Sequence, residues 1–439
     1  MTTLLVNGHV VTMDDDGTEH EGGWILVDEG FVRDVGSGSR PDADHIQDLR
    51  GAVVTPGLVN THHHLYQTLT RTRAQQENLF GWLKALYPVW AALDDEAEYA
   101  AARAGLAELA LSGCTTVFDH HYLFPPGVAG LLEAEIRAAR ELGVRIVASR
   151  GSMDLGESDG GLPPDAIVEN RDDVLAATEQ AAGLADGAHV EIAVAPCSPF
   201  SVTRELMTES AELARRLGLR LHTHLAETVE EEVYCRDLYR CTPVEYLEQL
   251  GWLADDVWCA HCVHLSDADV ARFGEAGVGV AHCPTSNLRF GAGIAPIQKL
   301  LHAGVRVGLG IDGAGHERGD LSLEVKQALL VARARGGPDA LTARDALRLG
   351  TRGGAAVLGR DDIGELSPGK RADLAVWRTD ALELGGATDL VAGLVFSAPH
   401  RVDRLYVGGE EVVRDGHLVR ADEDEIAREH RRHAERFAT

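Results

Sequence analysis

The stretch Pro56-Gly-Leu-Val-Asn-Thr-His-His-His64 closes a short apolar run, Val53–His62, on three consecutive histidines. Side chains two apart on a strand share a face, so His62 and His64 can converge on one point while His63 turns elsewhere. A lone histidine there would read as a polar loop or a satisfied residue. Three at one strand end point to a metal, provided that other strands end beside them in similar groups.

Seven more runs of this kind follow: Thr115–Asp119, Val144–Ser149, Val190–Pro196, Leu219–Leu225, Asp256–His261, Val278–His282 and Val305–Asp312. Between them lie stretches with apolar residues every three or four positions, clearest in Glu96–Leu111, Gly130–Leu142, Arg204–Leu217 and Ser266–Glu275. Eight strand-then-helix units predict an α/β fold, a (β/α)8 TIM barrel whose chemistry gathers at the C-terminal strand ends. The two ends of the chain differ from this middle. Short strands at Leu4–Val11, Trp24–Val27, Leu374–Trp377, Arg404–Val407 and Glu411–Val413, with a hairpin signal at Gly408-Gly409, predict a small β-sandwich module built from both termini. The expected division is 1–52 and 365–420 for the module, 53–364 for the barrel, and a solvated C-terminal helix in 421–439 capped by Asp422.

Ligand-type residues recur at the strand ends. His222 and His224 share a face of the fifth strand, and Glu227 stands three residues on, at the turn into a helix. An acid at that place is also an ordinary first-turn residue. His261 closes the sixth strand, His282 the seventh and Asp312 the eighth. Gly308 and Gly310 take the inward parity and leave room beneath Asp312, whose charge needs a metal or a histidine beside it if buried. Two or three histidines plus one carboxylate suit one zinc ion per subunit, with a position left open for water.

The net charge is −28, from 41 basic and 69 acidic residues. Such a surface repels phosphate backbones and excludes duplex nucleic acid as a partner. Lysine occurs only at 84, 299, 326 and 370, which fits either salt adaptation or codon bias. No run reaches the 18 or so apolar residues of a membrane helix, and no signal peptide is legible, so a cytoplasmic location is expected. Seven cysteines, an odd count, read as free thiols. Cys259 and Cys262 form a C-x-x-C with no second pair to complete a tetrahedral site. The sequence is compatible with a homo-oligomer but does not specify one.

The segments Pro56–His64, His224-Leu-Ala-Glu227, Ala260-His-Cys-Val-His264, His282-Cys-Pro-Thr-Ser-Asn287 and Ile311-Asp-Gly313 together resemble the amidohydrolase superfamily, in its branch of cytosine, guanine and related deaminases. Gly364–Leu374 looks like that family's return to its β-module. The resemblance implies zinc on His62, His64, His224 and Asp312. It implies Glu227 as a proton shuttle, His261 orienting water or substrate, Asp312 with His261 holding the attacking water and accepting its proton, and Gln67 against the substrate ring. Within the branch, Thr61–Arg71, Leu79–Tyr87, Asp119–Pro125 and Pro196–Ser201 are similar to the 8-oxoguanine deaminases. The implied reaction is hydrolytic deamination of an aminated purine-like heterocycle, 8-oxoguanine to urate plus ammonia. Hydroxytriazine aminohydrolases look similar in the same places, a pterin (isoxanthopterin) is a further substrate class, and a catalytically silent scaffold barrel is a reading of another kind. Trp82 and Tyr87 can stack on a ring, although their helical spacing also suits core residues. The pattern departs from its relatives after Gly313, where Ala314-Gly-His-Glu-Arg-Gly-Asp320 replaces a Ser/Asn-rich stretch and is expected to reshape the pocket.

Overall fold

The computed structural model describes residues 1–313, 318–399 and 401–438. Eight parallel strands close into a barrel: β6 (Leu58–Asn60), β7 (Cys114–Asp119), β8 (Arg145–Ser152), β9 (Val190–Pro196), β10 (Arg220–Leu225), β11 (Val257–His261), β12 (Gly279–His282) and β13 (Val307–Leu309). These are the eight runs expected, with two corrections. The first run is two strands. Val53–Pro56 (β5) pairs with His9–Val10 and with Leu374–Trp377 in the terminal module, and only Leu58–Asn60 joins the barrel. The break falls at Gly57, whose amide turns to the Asp373 carbonyl and where a Cβ would lie 2.2 Å from the Thr115 side chain. The last run is also shorter, because the chain leaves extended geometry after Leu309, before Asp312.

Side chains fill the barrel. Val59, Phe118, Val147, Ala195, Trp258 and Ala260 form a buried cluster that Val357, Leu358 and Ile363 complete. Each large apolar side chain buried there contributes about 1.5–3 kcal/mol. The histidine-bearing strand ends rest on this plug: the His222 ring lies 4.7 Å from both Phe118 and Trp258.

The module from both termini is a mixed sheet of nine strands. It comprises β1 (Thr3–Val11), β2 (Glu19–Asp28), β3 (Phe31–Gly36), β4 (His45–Asp48) and β5 from the N-terminal side. The C-terminal side adds β14 (Leu374–Trp377), β15 (Arg404–Val407), β16 (Glu410–Arg414) and β17 (His417–Leu418). Gly408 and Gly409, at φ of 56° and 77°, make the expected hairpin turn, a conformation that favours glycine. A buried ion pair fastens module to barrel: Arg145 at the start of β8 donates to both Asp373 oxygens at 3.1 Å. The C-terminal helix, Glu423–Ala434, is capped by Asp422 as expected. Most of its residues face solvent, as expected, but one face packs on the barrel: Ile426 and His433 are buried and Arg103 of helix Asp95–Leu111 holds Glu429 at 2.9 Å. No helix among the described residues is long and apolar enough to cross a membrane.

Candidate metal centre and catalytic site

The strand ends bring His62, His64, His224, His261 and Asp312 together, all buried. Two of them sit in left-handed backbone, His261 at φ 71° and Asp312 at φ 62°, a conformation that costs energy in a residue with a Cβ. Neighbouring strands hold them there: the Asp312 amide donates to the His62 carbonyl at 3.0 Å. Gly310 makes this approach possible, since a Cβ on it would lie 2.7 Å from that of His62.

Hydrogen bonds fix the tautomer of each histidine. His64 Nδ1 donates to the His120 carbonyl at 2.7 Å, and His224 Nδ1 donates to the Cys197 carbonyl at 2.7 Å. His222 Nδ1 donates to the Trp258 carbonyl at 3.0 Å, so its Nε2 accepts from His62 Nδ1 at 2.9 Å. The protons are thereby placed on the outer nitrogens, and Nε2 of His62, His64 and His224 each keeps a bare lone pair. Burial keeps the rings neutral, pushing His62 down to about 3 and His224 well below its ordinary value. These lone pairs face one another. His64 Nε2 lies 3.1 Å from His224 Nε2, and Asp312 Oδ1 lies 3.2 Å from His64 Nε2 and 3.5 Å from His62 Nε2. Four acceptors without a proton among them are the donor set of a cation, and outer partners that fix ring orientation are the usual support of one. Asp312 is itself held by Ser286, which donates to Oδ2 at 2.5 Å, and by the Gly313 amide.

His261 stands beside this group. Its Nδ1 donates to Asn287 Oδ1 at 2.9 Å, and its Nε2 faces Glu227 Oε2 at 3.5 Å. Burial, with the charges of Asp312 and Glu231, pushes the Glu227 carboxyl well above the usual range. A carboxyl whose protonated form is favoured by burial, set beside a neutral imidazole, can give and take one proton without moving far.

Three groups in or behind the site went unassigned in the sequence. Glu231 is fully buried, and its carboxylate accepts the amides of Ala226 (2.8 Å) and Glu227 (3.1 Å), holding the turn where Ala226 adopts φ 50°. The spacing Thr228-Val-Glu-Glu231 is a capping-box pattern and was the available signal. His120 lies with His62, His64 and His224, all ligand atoms within 4.8 Å. Its Nε2 donates to the Ala195 carbonyl, and its Nδ1 is buried without a partner. Tyr122 lines the pocket and receives a hydrogen bond from Gln67 Nε2 at 3.2 Å.

Among the expected substrate contacts, Gln67 and Trp82 both line the pocket next to the histidines, as does Tyr87. Trp82 also packs edge-on against Trp90 and Phe290, so it serves the core as well. His63 turns away from the cluster, and its Nδ1 accepts the His64 amide. His282 is buried outside the ligand groups. In the loop expected to reshape the pocket, residues 314–317 lie outside the described residues; Asp320, at its end, caps helix Leu321–Gly336.

The amidohydrolase family model matches residues 53–412. The chain is 46% identical over 440 residues to an 8-oxoguanine deaminase of Pseudomonas aeruginosa, covering 98% of each chain. It is 36% identical to a hydroxydechloroatrazine ethylaminohydrolase of a Pseudomonas species, covering 98% of this chain and 94% of that one. The crystal structure of an atrazine chlorohydrolase from Arthrobacter aurescens, complexed with zinc, superposes with a TM-score of 0.93 at 34% identity, over 98% of this chain and 100% of that one.

Proposed function

The chain belongs to the amidohydrolase family, and from that premise we propose that it is a zinc-dependent aminohydrolase that converts 8-oxoguanine to urate and ammonia. The observation that carries the reading is the set of four proton-free acceptors, His62, His64, His224 and Asp312, at the mouth of the barrel. Zinc is the metal this donor set suits, and a zinc-complexed structure of the same architecture supports the choice. When bound, zinc acidifies water to a pKa of about 7 and so supplies a nucleophile at neutral pH.

The protein's own groups do the rest. Glu227, held protonated by burial, donates to a ring nitrogen as water adds to the carbon bearing the amino group. His261, neutral and fixed by Asn287, takes the proton that water releases and orients the adduct. Glu227, now a carboxylate, takes the adduct's hydroxyl proton and passes it to the amine; the C=O bond forms as the C–N bond breaks, ammonia leaves, and the proton held by His261 returns to Glu227. Gln67 meets the heterocycle edge, while Trp82 and Tyr87 with Phe290 wall off solvent. Aromatic walls of this kind suit a flat, aminated ring. Seven free, buried cysteines suit a reducing compartment such as the cytoplasm.

The test is ammonia release from 8-oxoguanine, guanine, isoxanthopterin and hydroxytriazines, assayed side by side on protein of known metal content. The expected result is the highest kcat/KM on 8-oxoguanine. Preference for a hydroxytriazine, with alkylamine as product, would favour the second reading, which the 36% identical ethylaminohydrolase supports. Stoichiometric metal with no turnover of any aminated ring would return the barrel to a scaffold role.

A further inference from the structure

Behind the histidine site lies a second cluster of metal-ligating side chains. Glu98 comes from helix Asp95–Leu111, Glu135 from helix Leu131–Leu142, and His121 from the segment just past β7, whose last residue is Asp119. All four side chains have no exposure to solvent. The ligand atoms of Glu98, His121 and Glu135 lie within 4.8 Å of one another.

The hydrogen bonding leaves this cluster short of donors. His121 Nε2 donates to the Leu123 carbonyl at 2.9 Å, so Nδ1 holds a bare lone pair, and that atom faces Glu98 Oε2 at 3.7 Å. No N–H or hydroxyl donor reaches either oxygen of Glu98 or of Glu135, or Asp119 Oδ2, although the carboxyls of Glu135 and Asp119 lie close enough to share a proton. Only Asp119 Oδ1 is satisfied, by the Leu65 amide at 2.7 Å. Among the described residues no lysine or arginine pairs with these carboxyls. Burying such groups without compensation is costly.

Two kinds of compensation exist. Protons shared within the cluster would satisfy one oxygen of each glutamate and leave the other bare. A divalent cation takes up lone pairs on both carboxylates and on the imidazole together. We propose that Glu98, His121 and Glu135, with Asp119 behind them, form a second divalent-cation site, distinct from the catalytic one. One imidazole nitrogen with carboxylate oxygens suits zinc, manganese or ferrous iron. The cation would tie two outer helices to the end of β7. Through Asp119 and the Leu65 amide it would brace the loop that carries His64. The inference stands on these four residues and is independent of which heterocycle the enzyme uses.

The experiment is metal analysis of the full-length protein after loading with manganese or zinc, together with anomalous diffraction at the metal edge. Two metal equivalents per chain are expected, with one anomalous peak among Glu98, His121 and Glu135. Glu98→Gln and His121→Phe should each lose one equivalent while keeping the peak at His62 and His64. If these variants do not fold, the wild-type anomalous map decides alone. An anomalous map with density at the histidine site and none at Glu98 overturns the proposal and leaves the cluster to shared protons.

Discussion

The Glu231 carboxylate accepts the backbone amide of Glu227 at 3.1 Å, so one buried acid positions another. With the Ala226 amide also bound, Glu231 offsets the cost of left-handed backbone at Ala226 and aims Glu227 at His261. Glu231→Ala should lower kcat about 10²-fold with little change in KM, as a displacement of about 1 Å does. Glu231→Gln, which keeps one acceptor oxygen, should recover part of the loss. Equal effects of both changes on kcat and on Tm would reduce Glu231 to a structural residue.

Replacing Glu227 itself separates chemistry from metal binding. Glu227→Gln should retain the metal measured in the wild type while turnover falls about 10²–10⁴-fold. Turnover close to wild type would remove Glu227 from proton transfer.

His222 sets the tautomer of His62 by accepting its Nδ1 proton. His222→Phe fills similar space but offers no acceptor. Metal affinity should fall about 10–100-fold, the usual consequence of losing an outer partner of a ligand. Competition with a chelator measures this, and an unchanged constant would show that His62 needs no such support.

The Arg145–Asp373 pair is fully buried between barrel and module, and Asp373 also accepts the Gly408 amide. Asp373→Ala leaves the guanidinium buried and unpaired, and should cost about 3–5 kcal/mol in denaturant unfolding. A loss well under 1 kcal/mol would mean that water reaches Arg145.

Asp362 gives a pH signature away from the site. Burial opposes its charge, but Arg360 and Arg371, each bonded at 2.6 Å, hold its carboxyl well below the usual range. A depressed folded pKa adds stability above the unfolded value of about 3.9, and that stability is lost as pH falls toward the folded value. The stability gap between wild type and Asp362→Asn, about 1 kcal/mol for so solvated a cluster, should begin to narrow below about pH 5 and keep narrowing as pH falls toward the folded value. A gap constant across that range would assign it to packing.

Much of this protein was fixed by local pattern. Period-two and period-3.6 apolar spacing is set by backbone geometry, so the eight barrel strands and the helices between them were legible in the chain. The strand-end parity of His62 and His64 follows from the same geometry. Tertiary structure alone decided where Val53–Pro56 pairs, because a strand's partners are chosen by register with distant segments such as Leu374–Trp377. It alone decided the proton positions too, since the carbonyls of His120, Cys197 and Trp258 that fix the tautomers lie on other strands or at their ends. Alternation reports which face a residue takes on its own element; which donors and acceptors await it there depends on elements far away in sequence.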